Sequence, residues 1–267
     1  MRRHLRQNLL LTAAVAALAA IVWFVTAREQ ASTLAPLTDI DTTRIAAVTV
    51  SARGKPIRRF DRHDGRWWMR EPYAMPAHKD AVARLLAIAA APTRSRHARD
   101  RFDAARVGLD PPQAVLELDG RRLEFGVTDA IRGDRYVRSG DTLALMPDRF
   151  SGWLLAPAES EIDHRLAEPL AHVVQVTIDG RDRPEFAAAW DRVTTSQVVA
   201  PETVSGPARS VELSDASGRR IAFTVRRRDD GRYVAVRTEP ALAYPLDEPQ
   251  IQQLLPAGGA GSGTVVR

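Results

Sequence analysis

Apolar and polar residues alternate with a period of two along several short stretches of the chain. Arg44–Ala52 (RIAAVTVSA), Ile57–His63 and Arg66–Arg70 each show it, and Gly54 and Asp64-Gly65 stand between them as turn residues. That pattern predicts antiparallel hairpins, because alternate side chains of a strand share one face. Pro72 and Pro76 are expected to end the run. The period then changes. Val82, Leu85, Leu86 and Ala89 fall on one helical stripe, which predicts a helix from about His78 to Ala91 with Pro92 as its stop. Thr93 to Arg106 reads as an Arg-rich connector leading into Gly108-Leu109-Asp110-Pro111-Pro112.

The later pattern is a repeat. Gly120-Arg121-Arg122-Leu123-Glu124-Phe125-Gly126-Val127 recurs as Gly218-Arg219-Arg220-Ile221-Ala222-Phe223-Thr224-Val225. Leu116-Glu117-Leu118 precedes the first copy as Val211-Glu212-Leu213 precedes the second, and Arg135-Tyr136-Val137 returns as Arg232-Tyr233-Val234. Leu143-Ala144-Leu145 is echoed by Leu242-Ala243-Tyr244. Each copy predicts a four-stranded meander, with Leu116, Leu118, Leu123 and Phe125 inward and Glu117, Arg122 and Glu124 outward. A short apolar helix follows each, with Asp148 and Asp247 as N-caps and Pro157 and Pro256 as stops. A strand at Val173–Asp179 opens the second copy, which shows no counterpart to the helix at 78–91. One-sided sheets need a covering layer. The fold class expected is therefore α+β: an N-terminal transmembrane helix, then two related units of antiparallel meander sheet plus short helices.

The transmembrane helix comes from Leu9–Ala27 (LLLTAAVAALAAIVWFVTA), which holds no charge. Nineteen helical residues span roughly 28 Å, close to the hydrocarbon thickness of a bilayer. Arg2, Arg3 and Arg6 precede the run, so the positive-inside rule keeps the N-terminus in the cytoplasm and sends the rest across. A cleaved signal peptide is the competing reading, with Val25-Thr26-Ala27 before the cut. The long apolar stretch and the bulky Trp23 and Phe24 favour retention. The organisation expected is a basic cytoplasmic start (1–8), a signal anchor (9–27), a linker (28–36), a first unit (37–170), a second unit (171–256) and a C-terminal tail (257–267). Either reading exports the body.

Charge changes meaning once the anchor is set aside. Of the net +5, Arg2, Arg3, Arg6 and Arg28 against Glu29 account for +3, leaving +2 on everything else. So nearly balanced a body has no field to draw in polyanions, and nucleic acid is not an expected partner. The chain has no cysteine, which excludes disulfides, thiolate metal sites, cysteine nucleophiles and a lipid-attachment cysteine.

Trp67-Trp68-Met69-Arg70-Glu71-Pro72, Val82–Leu86, Gly108-Leu109-Asp110-Pro111-Pro112 and Arg135-Tyr136-Val137-Arg138-Ser139-Gly140-Asp141 occur in that order. In this order they resemble the bacterial domain-of-unknown-function family 4340, over about residues 37 to 170. The resemblance implies a bacterial inner-membrane protein with one N-terminal helix and a periplasmic body. It also implies an envelope setting in which some members accompany ABC-type transporter parts of gliding or auxiliary transport. It transfers no catalytic residue.

No constellation for catalysis stands out. His4, His63, His78, His97, His164 and His172 form no metal-ligand spacing. Asp163-His164 lacks a nucleophile elbow and reads as a solvated loop. Asp61, Asp64 and Glu71, weighed as an acid/base set, are explained by turn formation at Asp64-Gly65. Arg226-Arg227-Arg228 before Asp229-Asp230 reads as a solvated hairpin, and Gly258–Gly263 lacks the lysine of a phosphate loop. Trp67 and Trp68 are the candidate partner contacts, since neighbours on a strand face opposite sides and a one-sided sheet buries only one. The function expected is a non-enzymatic accessory or scaffold of a membrane complex such as an ABC-type transporter, with no cofactor and no metal. The alternative is a periplasmic module that binds a lipid, glycan or peptide in the groove between the units.

Overall fold

The computed structural model describes residues 15–20, 35–201 and 205–256. Residues 15–20 form a helix (α1) inside the predicted anchor; the rest of 9–27, linker residues 28–34 and the tail 257–267 lie outside the described residues. Among the described residues no helix is long and apolar enough to cross a membrane.

The first half begins with a meander of Ala47–Ala52 (β1), Arg58–His63 (β2) and Arg66–Glu71 (β3), which continues into Met75–Pro76 (β4). Pro76 was expected to end the strands. It instead pairs with Trp68 at the sheet edge, where a missing N–H removes no ladder bond. Lys79–Ala89 (α2) follows; of the predicted stripe Val82, Leu85 and Ala89 are buried and Leu86 is half-buried, and Ile88 is buried beside them. The expected Arg-rich connector contains a strand, Ser95–Ala98 (β5), which pairs with the sheet's far edge. Ala114–Leu118 (β6), Arg121–Thr128 (β7), Asp134–Ser139 (β8), Thr142–Pro147 (β9) and the short helix Ser151–Leu154 (α3) complete this half. Its nine strands lie in the order β4-β3-β2-β1-β6-β7-β8-β9-β5.

The second half repeats the plan in brief. Gln175–Ile178 (β10) and Arg181–Asp182 (β11) form a hairpin, and Ala187–Arg192 (α4) stands in the place of α2 as a shorter helix. Ala208–Ser214 (β12), Arg220–Arg227 (β13), Tyr233–Arg237 (β14) and Leu242–Leu246 (β15) make the meander, closed by Glu248–Leu254 (α5). The order is β11-β10-β12-β13-β14-β15, and every pair in both sheets is antiparallel. Register carries the repeat too. Val48 and Val50 face Leu118 and Leu116 as Val176 and Ile178 face Leu213 and Val211.

These inward residues join a single hydrophobic core that runs through both halves. On the outer face Arg122 holds Glu117 at 3.1 Å and Glu124 at 2.8 Å, as alternation requires. Trp190 of α4 is fully buried, lies 5.6 Å from the Phe223 ring, and donates its Nε1–H to the Leu254 carbonyl at 2.9 Å. Asp247 caps α5 in a reciprocal box with Gln250. Asp148 does not stand at the N-cap of α3, which is Phe150; its carboxylate reaches past to accept from the Ser151 N–H at 3.1 Å. Gly126 is required where the Val107–Leu109 segment crosses β7, because a Cβ there would lie 2.1 Å from the Val107 carbonyl oxygen.

Candidate functional site

The two halves meet along residues 158–173, and a cleft of roughly 490 Å³ opens at the meeting line. An isolated bridge between Ala77 and Ile162 brings the start of α2 against this connector. Arg66, Trp67, His78 and Lys79 form one wall, Asp163 and His164 the floor, and Thr194 and Thr195 the opposite wall.

His78 and His164 are stacked, with ring centroids 4.6 Å apart and planes inclined by 28°. Both are half-buried, so the solvated loop expected at Asp163-His164 is corrected. The fold packs that loop under the N-terminus of α2. Burial holds the His164 imidazole below its ordinary range, and the neighbouring His78 pushes the same way. Thr195 fixes the backbone beneath, donating its N–H to the His164 carbonyl at 3.0 Å.

Below the cleft lies an ionic cluster built from both halves. Arg66 donates to Asp163 at 3.1 Å and to the buried Glu168 at 2.7 Å. Arg165 donates to Glu168 at 3.0 Å and to Asp191 at 2.9 Å, and Arg237 of β14 donates to the Glu168 carbonyl. Charge-assisted bonds of this kind fix geometry as well as adding stability. The cleft therefore offers imidazole faces, an indole edge, one lysine and threonine hydroxyls on a fixed base. Such a lining suits recognition of a polar or amphipathic ligand.

The two candidate tryptophans part company. Trp67 packs against the core and lines the cleft, whereas Trp68 lies on the other face of β3, half-buried, with the Arg70 guanidinium 5.6 Å from its ring centroid. They do not form one surface. Asp61 and Glu71 are taken by arginines, Arg70 at 2.8 Å and Arg59 at 2.5 Å, while Asp64 sits in its turn at φ 50°. Arg226 donates to the Gly206 carbonyl at 2.6 Å. Among the described residues no three His, Asp or Glu side chains are placed to hold a metal ion. His78, Thr194 and Thr195 had no signal in the sequence, because their partner His164 lies far along the chain.

A larger open hollow of roughly 660 Å³ sits on the first half, beside Phe102 and Arg138. Arg138 there is already tied to Glu124. This hollow involves one half only, and the junction cleft is the stronger candidate.

No curated protein and no solved structure matches the chain. A family model does, the one described as domain of unknown function DUF4340, over residues 67–189. The match begins at Trp67 in β3 and ends at Ala189 in α4, so it spans the connector and reaches into the second half, beyond the stretch whose motifs carry the resemblance. Over residues 67–189, which take in β3 from Trp67, the connector and most of the cleft's first wall and floor, this chain is similar to the DUF4340 family.

Proposed function

We propose that the protein is a non-enzymatic, membrane-anchored accessory protein of the bacterial cell envelope. Its N-terminus lies in the cytoplasm and its double-sheet body in the periplasm, where it scaffolds a membrane complex such as an ABC-type transporter. The observation that supports this is the uncharged run Leu9–Ala27 behind Arg2, Arg3 and Arg6, joined by seven residues to a body whose halves share one core. Purification from gently solubilised membranes at native expression tests it. A stoichiometric membrane partner is expected, and recovery of the isolated chain alone would count decisively against scaffolding.

A second reading rests on the cleft itself. Walls contributed by both halves favour a module that holds a lipid, glycan or peptide there. Native mass spectrometry of the detergent-held chain distinguishes the two readings, because a binding module retains or takes up a ligand that the His78→Ala variant loses.

A further inference from the structure

One rim of the nine-stranded sheet carries features that neither the core nor the cleft explains. Strand directions bring the β1–β2 turn, the β7–β8 turn, the end of β9 and the start of β5 to this same rim. Ile131, at the tip of the β7–β8 turn, is 89% exposed, and Ile57, beyond the β1–β2 turn, is 45% exposed. The tip is a built turn. Asp129 accepts from the Arg132 N–H at 2.9 Å through its side chain and from the Gly133 N–H at 2.9 Å through its carbonyl. An isoleucine is thus held outward on a fixed support.

Cations surround these tips. Arg53, Lys55, Arg132 and Arg149 are exposed on this rim, and among the described residues none makes an ion pair. Two of the acids nearby are paired, Asp134 by Arg94 at 2.7 Å and Asp148 by Arg135 at 2.8 Å; Asp110 makes no ion pair among the described residues, and Asp129 is held by the Arg132 N–H of its own turn. The chain also joins the body here. Thr93, next to Arg94, donates its N–H and hydroxyl to the Ala35 carbonyl at 3.1 and 2.9 Å. Only residues 28–34 separate Ala27 from Ala35, and seven residues reach at most about 25 Å.

We propose that this rim lies against the non-cytoplasmic surface of the bilayer that Leu9–Ala27 crosses. Ile131 and Ile57 sit at the headgroup–acyl boundary, and Arg53, Lys55, Arg132 and Arg149 contact phosphates of anionic lipids. The inference rests on the anchor reading above. Apolar tips flanked by cations are the composition that partitions into this zone. The short tether keeps the rim at high local concentration, so contacts too weak to bind a free protein suffice.

Because the chain has no cysteine, single-cysteine labelling is site-specific. The full chain carrying Ile131→Cys, labelled with an environment-sensitive fluorophore, is reconstituted into phosphatidylcholine vesicles with and without phosphatidylglycerol. Spin-labelled acyl chains then serve as quenchers. Asp141→Cys, in the β8–β9 turn at the opposite rim, is the reference. Immersion at the boundary predicts quenching at 131 about twofold or more above that at 141. Phosphatidylglycerol should deepen it, and Arg132→Glu with Arg149→Glu should weaken the contact about fivefold per charge removed. Flotation with the vesicles reports the anchor separately. Equal quenching at both positions in a floating chain overturns the inference, leaves the anchor standing and assigns the rim to a protein partner. A chain that does not float refutes the anchor reading and the inference together.

Discussion

Glu161→Gln probes the one ion pair, among the described residues, that the fold has taken fully out of water. Arg58 reaches inward from β2, its side chain 2% exposed, and donates to the Trp153 carbonyl at 3.2 Å, the Leu154 carbonyl and Glu161 Oε1 at 2.5 Å. Burial penalises the ionised carboxyl and Arg58 favours it. Burial prevails, pushing the Glu161 carboxyl up from 4.5 to about 7, and its Oε2 has no hydrogen-bond partner among the described residues. An acid raised on folding binds its proton more tightly in the folded state. Its favourable contribution is therefore complete below about 4.5 and lost as the pH climbs to about 7. At about 1.4 kcal/mol per pH unit the loss amounts to about 3 kcal/mol. Glutamine cannot titrate, so the stability of the variant relative to the parent should improve by about that amount across the same window. Urea denaturation of the detergent-held chain, followed by tryptophan fluorescence at a series of pH values, measures it. One transition is expected because the halves share a core. A stability difference that stays flat, or that runs the opposite way, would show that Arg58 keeps the carboxylate ionised and would refute the reasoning.

Three further substitutions follow from the geometry. Gly126→Ala places a methyl group against the Val107 carbonyl and should cost about 1–3 kcal/mol or more, read as a fall in Tm. Trp190→Phe removes the donor to the Leu254 carbonyl and should cost about 1–3 kcal/mol in urea, with α5 losing protection from hydrogen exchange first. Trp67→Ala should lower Tm by several degrees because the ring packs on the core, whereas Trp68→Ala should stay within about 1 kcal/mol of the parent. Equal losses at 67 and 68 would contradict their placement on opposite faces.

The hairpins were legible because two independent signals agree in them, period-two alternation and residues suited to positive φ. Asp64, Asp119 and Asp179 take φ near 50°, each followed by a glycine. The repeat was legible for the same reason, and its opening pair keeps one register, β10 on β12 as β1 on β6. β5 was not. Ser95-Arg96-His97-Ala98 is half-exposed at an edge and has no apolar face to betray it. The buried charges were invisible for a different reason. Arg58 and Glu168 look like any surface arginine and glutamate, and only long-range pairing makes them interior residues. The cleft fell between these cases: Asp163-His164 was visible as a pair of titratable residues, yet its partner His78 comes from another element.

The connector explains why the cleft opens where it does. Residues 159–163 bond to the first half: Glu159 accepts from the Tyr73 hydroxyl at 2.5 Å, the Glu161 carbonyl from the His78 N–H at 2.8 Å, and the Asp163 N–H donates to Pro76 at 2.9 Å. From His164 onward the backbone partners outside the connector belong to the second half, while Arg66 still reaches across to Glu168. The His164 carbonyl takes Thr195, Leu166 donates to Val193 at 3.2 Å, Arg165 holds Asp191, and Glu168 takes Arg237. The change of allegiance falls between Asp163 and His164, which form the cleft floor. A groove results because the backbone there serves both halves in turn and neither half closes over it. With each side of the connector pinned by buried or half-buried ion pairs, hinge opening would expose Glu168 and leave its charge without its arginines, a cost of several kcal/mol. Any ligand of this cleft must therefore fit walls that are already in place.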